Sequence, residues 1–266
     1  MLASGVIQAL KTRLPGPVYG RLRRLYFSRL NVPRQLCLYG SFASDWRRYS
    51  RMPGAEPLHW RDAYPVLDQG TAATGFDQHY FYQDAWAFRK IAEARPSSHV
   101  DVGSNVRFVG MLTAITHVTF IDIRPLLARI PNLDSKAGSV LDLPYLDGSL
   151  LSLSCLHVAE HVGLGRYGDP LDPQGTRKAA AELARVLRIG GHLYFGLPVG
   201  RPRVCFNAHR IHSPQQVLEY FGALRLVEFS GVNDPGEFLT AIRPADFANQ
   251  EYACGLFHFT KEGSAS

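Results

Sequence analysis

From about residue 97 onward, short β-like apolar runs alternate with helical or loop segments, the rhythm of an α/β fold on a parallel sheet. The runs are His99–Val102, Val118–Ile123, Ser139–Leu141, Leu150–Leu156, His192–Leu197, Leu224–Phe229 and Leu256–Thr260. Between the fourth and fifth, Ala179, Ala180, Leu183, Val186 and Leu187 recur at helical spacing. They predict an amphipathic helix over residues 176–187 that Gly190-Gly191 stops. A further helix is expected after Ser213, with Pro214 in its first turn and Val217, Leu218 and Phe221 facing inward. Upstream, residues 53–96 read as a polar, aromatic-rich approach ending in a helix over residues 83–94. Its Tyr80, Phe81, Tyr82 and Trp86 either form a lid over a ligand or join the core.

The N-terminal segment has a different pattern. Val6, Ile7, Leu10 and Leu14 repeat at helical spacing, and Val18, Leu22, Leu25, Tyr26 and Leu30 do so again after Pro15-Gly16-Pro17. Residues 1–52 carry ten Lys/Arg and one acid, a balance of +9 within a chain of net charge +6. The remaining residues are therefore slightly acidic, which argues against a nucleic-acid-binding core and for an appendage with its own partner. A basic helix with an apolar stripe suits peripheral contact with an anionic membrane surface; the same stripe would equally pack on the adjoining domain. An organellar transit peptide is a weaker fit, and the charge-interrupted stretch does not read as a secretory signal. The expected organisation is a basic extension (1–52), an approach or lid segment (53–96) and an α/β domain (97–262).

At 46% hydrophobic and 20% charged residues, the composition excludes wholesale disorder. No apolar run reaches the roughly 20 residues of a transmembrane helix. The four cysteines form no CxxC pair, which points to a reducing, cytoplasmic setting.

Three positions promise ligand chemistry. The first apolar strand ends in Asp101-Val102-Gly103-Ser104-Asn105, a tight turn at a sheet's carboxyl edge where nucleotide-type ligands bind. Twenty-one residues after Asp101, Asp122 ends the second strand, where an acid can bond both ribose hydroxyls; Asp142 follows the third. The alternative is that these acids cap loops. A GxGxxG dinucleotide turn is not present, although Arg124 stands where a 2′-phosphate could be met. The second position is the block His157 to Asp169, with Glu160, His161, Arg166 and Tyr167. His161 is the expected general base, oriented or replaced by Glu160, and Arg166 and Asp169 suit a polar acceptor. Gly163, Gly165 and Gly168 let the loop fold tightly, and the two histidines could instead be structural neighbours one helical turn apart. His-Val-Ala-Glu-His misplaces the glutamate for a metalloprotease helix, so no metal is expected. The third position is Asn207, His209, Arg210 and His212.

Asp101-Val102-Gly103-Ser104, Asp122, Asp142-Leu143-Pro144 and Arg185 to Gly191 resemble the ordered motifs of class I S-adenosylmethionine-dependent methyltransferases. His157 to Pro170, with Phe206 to Arg210, is similar to the DUF268 family. The resemblance implies a Rossmann-like three-layer sandwich with a seven-stranded sheet whose last strand is antiparallel. It implies S-adenosylmethionine as cofactor, held by Asp101, Gly103, Ser104, Asn105, Asp122, Arg124, Asp142, Leu143 and His157. Catalysis would fall to His161, Glu160 and Asp169, and acceptor binding to Arg166, Tyr167, Asn207, His209 and Arg210. The acceptor expected is a small molecule or saccharide offering an oxygen, within glycolipid or polysaccharide assembly. Arg107 stands where such enzymes usually have glycine, and it would pair with the cofactor's carboxylate or fill its space. That departure motivates the alternative of an inactive scaffold that recruits a partner or membrane through residues 1–52.

Overall fold

A computed structural model describes residues 34–67 and 69–263. The apolar stripes expected over residues 6–30 lie outside these. The chain divides between Gly75 and Phe76 into two units. In the first, residues 34–49 are helical, and Trp46 stacks on Trp60 with ring centroids 4.4 Å apart. No helix among the described residues is long and apolar enough to cross a membrane.

The second unit opens with helix α1 (Gln78–Ala94), five residues earlier than the apolar spacing predicts. Asp77 is the reason: its side chain accepts from the Tyr80 amide at 3.2 Å and caps the helix there. Gln83, Trp86, Ala87 and Ile91 form the buried stripe. Then follow β1 (Ser98–Val102), α2 (Val106–Leu112), β2 (His117–Asp122), β3 (Leu133–Ala137) and β4 (Leu150–Leu156). Next come α3 (Gly175–Val186), β5 (Leu187–Val199), β6 (Arg203–Cys205), β7 (His209–Ile211) and α4 (Pro214–Tyr220). The chain closes with β8 (Arg225–Val232), β9 (Phe238–Leu239) and β10 (Ala253–Thr260).

The main sheet has eight strands in the order β3-β2-β1-β4-β5-β10-β8-β9. β1 to β5 pair in parallel, and β10 inserts antiparallel between β5 and β8. This is the expected Rossmann-like sheet, with the short edge strand β9 as the eighth. β6 and β7 form a separate hairpin.

Three local expectations change. The third strand lies at residues 133–137, paired with β2, because Ser139 to Asp142 closes on itself as a turn. Gly190-Gly191 does not end α3; the chain leaves the helix at an extended Leu187 and runs directly into a β5 longer than predicted. β10 starts three residues early, at Ala253. The helix after Ser213 forms as expected, with a Ser213/Gln216 capping box.

Candidate functional site

The carboxyl ends of β1, β2 and β4 meet the amino end of β10, because antiparallel pairing sets Cys254 opposite Pro198 near the end of β5. On this rim the turn after β1 depends on one glycine. Gly103 has φ of +70°, and a Cβ there would stand 3.2 Å from Val158 and 3.5 Å from Asp122 Oδ2. Glycine alone takes this backbone without strain and leaves the space open. Asn105 then caps α2 by accepting from the Arg107 amide at 2.9 Å.

Asp101 lies beneath the turn. It is fully buried, accepts from the Ser104 amide at 3.0 Å and from the Ser154 hydroxyl, and lines none of the three cavities described below. His99 extends the chain through Ser154 and Ser152, both at 2.8 Å. Burial raises the Asp101 carboxyl to about 6 and lowers His99 to about 3. Both brace the turn from below.

Asp122 does reach the cavity. One oxygen accepts from the Arg124 amide at 2.7 Å, and the other faces Gly103. The cavity is about 550 Å³ and is lined by Gly103, Asp122, Arg124, Ser139 to Leu141, His157, His161, Tyr167 and Asp169, among others. A contiguous space of about 530 Å³ shares Gly103, Asp122 and Arg124 and adds Ser104, Asn105 and Tyr80.

Asp142 and Leu143 stand apart from it. Asp142 is exposed beyond the Ser139 turn. Leu143 is a core residue whose amide donates to Glu182 at 2.7 Å, which pins the segment to α3. Of the three acids expected to converge, then, only Asp122 lines the cavity. Arg107 is exposed and lines none of the three cavities, so it does not plug this one.

The segment after β4 is the centre of the site. His157 is a non-glycine residue at φ +56°, a conformation that clusters at functional sites. Its Nδ1 donates to Gln83 Oε1 at 2.6 Å, which leaves Nε2 as a buried lone pair with no partner. Burial lowers its pKa to about 3. The two histidines do not share a helical face, since only Ala159–His161 forms a short 3-10 turn.

His161 is mostly buried, which lowers its pKa to about 4. Its Nδ1 meets the Ala208 carbonyl at 2.6 Å, so Nδ1 carries the proton and Nε2 the lone pair. Glu160 Oε1 is 3.7 Å from that Nε2, too far for a hydrogen bond. Glu160 itself is fully buried with both oxygens unpartnered, and burial raises it to about 8.

A second cavity, about 570 Å³, shares His157 and His161 with the first and adds His79, Tyr80, Glu160, Arg166, His209 and Tyr252. Arg166 donates to the Ala208 carbonyl at 3.0 Å. Tyr167 lies under two guanidinium groups, Arg124 at 4.4 Å and Arg166 at 5.2 Å from its ring centre.

Other expected site residues also make local contacts. Burial alone would raise the Asp169 pKa, but amides of Tyr167 and Gly163 hold it below its ordinary value. Its carboxylate closes the loop, which at Gly163 passes so near Asp172 that a Cβ would come 2.2 Å from that carbonyl. Buried Arg210 donates to the carbonyls of Val162 at 2.5 Å and Asp172 at 2.8 Å, holding the loop from behind. Asn207 is exposed and lines none of these cavities. His212 bonds Thr176 at 3.3 Å. Tyr80 lines both flanking cavities, whereas Trp86 is core and Tyr82 stacks on Phe238.

Sequence reasoning missed His79, Gln83, Tyr252 and Cys254. The Asp77 cap was the available signal for the first two; nothing local marks Tyr252 or Cys254.

No curated protein matches the sequence. Among solved structures, one named as a sarcosine dimethylglycine methyltransferase from Galdieria sulphuraria aligns with a TM-score of 0.50 at 15% identity, over 68% of this chain and 86% of that one. The N-methyltransferase NodS from Bradyrhizobium japonicum, in complex with S-adenosyl-L-homocysteine, aligns with a TM-score of 0.48 at 16% identity, over 83% and 98%. At such identities the likeness concerns the fold. Residues 151–241, from β4 through β9, match the family model described as "Caenorhabditis protein of unknown function, DUF268", so the chain is similar to DUF268 on a methyltransferase-like fold.

Proposed function

We propose that the chain transfers a methyl group from S-adenosylmethionine to an oxygen of a polar acceptor, a saccharide or glycolipid precursor in first place. The observation that carries this reading is the meeting of two cavities at His157 and His161, one floored by Gly103 and Asp122, the other lined with ionisable groups.

The residues present fit the cofactor. The cradle at Gly103 is one that a Cβ would fill, and Asp122 keeps one carboxylate oxygen facing it. Asp122 would hold the ribose, the Gly103 to Asn105 turn the amino-acid end, and Ser139 to Leu141 the base, in place of Asp142 and Leu143. When bound, S-adenosylmethionine supplies an activated methyl group. The chain's own task is alignment and proton handling. His161, neutral above its lowered pKa, takes the acceptor hydroxyl's proton at Nε2. Glu160 stays protonated to about pH 8 and can donate to a second acceptor oxygen. Arg166 and His209 on the far wall suit hydroxyl-rich or anionic acceptors. In this reading the basic residues 1–52 bring the enzyme to the cytoplasmic face of a membrane, where a glycolipid precursor would be met.

Calorimetry with S-adenosylmethionine tests the reading. Binding in the micromolar to submillimolar range is expected, weakened about 10- to 100-fold in Asp122→Ala by loss of a charge-assisted hydrogen bond. Absence of binding at millimolar ligand would favour the inactive scaffold instead.

A further inference from the structure

His79, His157 and Cys254 come from three distant parts of the sequence: the first turn of α1, the segment leaving β4, and the second residue of β10. One ring nitrogen of each histidine and the Cys254 Sγ all lie within 4.8 Å of one another. A second observation points the same way. His157 is buried, its Nδ1 proton is committed to Gln83, and the remaining Nε2 has no partner. A buried lone pair left empty is costly, and a carbonyl oxygen fixing the opposite nitrogen is how metal-ligating histidines are oriented.

We propose that His79, His157 and Cys254 form a binding site for a zinc-class divalent cation. Two imidazoles and a thiolate select a borderline-soft ion over magnesium or calcium, which want oxygen ligands. Cys254 binds after passing its proton to solvent. Zinc with Zn–N near ~2.0 Å and Zn–S near ~2.3 Å sets donors about 3.3–3.5 Å apart, so the trio must draw in by at most about 1.5 Å. His79, the least buried of the three, has the freedom to do so. His79 and His157 line the second cavity, so a fourth coordination position opens onto it. Three protein ligands with an open fourth place is the pattern of a reactive zinc, which acidifies a bound water or hydroxyl. The site does not depend on the methyl-transfer reading.

The test is cobalt titration of the full chain after chelator treatment. One equivalent should bind and produce an intense sulfur-to-cobalt charge-transfer absorption in the near ultraviolet. Cys254→Ser should abolish the band, and Cys205→Ser, which removes a thiol outside the trio, should keep it. His79→Ala should weaken cobalt binding by about 100-fold or more while the metal-free protein keeps its native circular dichroism spectrum. This variant decides the matter if Cys254→Ser does not fold. No charge-transfer band at millimolar cobalt, a band surviving in Cys254→Ser, or unchanged affinity in His79→Ala would overturn the proposal.

Discussion

Glu160 is the least compensated group in the site, and its substitution gives the sharpest prediction. The carboxyl is fully buried, neither oxygen has a partner, and burial holds its pKa at about 8 against an ordinary value of 4.5. The folded protein therefore keeps a proton that the unfolded chain has released, so stability falls as pH rises from about 5 through 8. Buried histidines act in the opposite sense. His99 and His157 at about 3, and His161, His212 and His258 at about 4, give stability that is complete above about pH 7.5 and lost in acid. Asp84 and Asp101, raised to about 6, have mostly released their protons by then. Between pH 6.5 and 8 Glu160 loses stabilisation while the histidines complete theirs, so the two act in opposite directions and only Glu160 separates wild type from a variant at this position. Across that window one such carboxyl removes about 1.5 kcal/mol, given ~1.36 kcal/mol per pKa unit. Urea denaturation at several pH values, with chelator present, should show this loss as a difference between wild type and Glu160→Gln. Glu160→Gln keeps the volume and cannot ionise, so its stability relative to wild type should rise by about that amount between pH 6.5 and 8. An equal pH slope in the two proteins would refute a protonated Glu160.

Other predictions concern the site and the basic segment. His161→Ala should leave S-adenosylmethionine affinity in calorimetry nearly intact and lower kcat about 10²-fold; unchanged turnover removes it from the mechanism. With His161 as base, the wild-type pH–kcat profile should be level from about pH 5 to 7.5, because His161 titrates near 4; a rise through about pH 8 would transfer the role to Glu160. Gly103→Ala, forced to φ +70° with a methyl 3.2 Å from Val158, should cost about 1–2 kcal/mol by thermal unfolding and weaken cofactor binding more than tenfold. In liposome co-sedimentation, the full chain should bind anionic vesicles and a chain lacking residues 1–52 should not. Equal sedimentation ends the membrane reading.

How much was legible beforehand differs by element. The strand–turn–acid pattern at Asp101 to Asn105 and at Asp122 is local, since an apolar run, a glycine and an acid at a strand end state their geometry within a few residues. The capping box of α4 is local for the same reason. The third strand was misread because Val140 and Leu141 are apolar for the cavity wall and core, not for strand pairing. Leu143 illustrates the same ambiguity: burial against α3 and contact with a ligand demand the same side chain.

The chain's amino-acid order by itself determined an α/β sheet, the turn that needs Gly103, and a histidine-rich loop after the fourth strand. Only the tertiary structure decided what that loop faces. Asp101 became a buried brace because Ser154 of the neighbouring strand stands beside it, and Arg210 became a clamp because the loop's carbonyls lie within its reach. His79, Gln83 and Cys254 join His157 only because Asp77 caps α1 at Gln78 and β10 runs antiparallel, bringing its first residues to the rim where the parallel strands end. Such meetings depend on contacts across more than seventy residues of sequence, and no local periodicity records them.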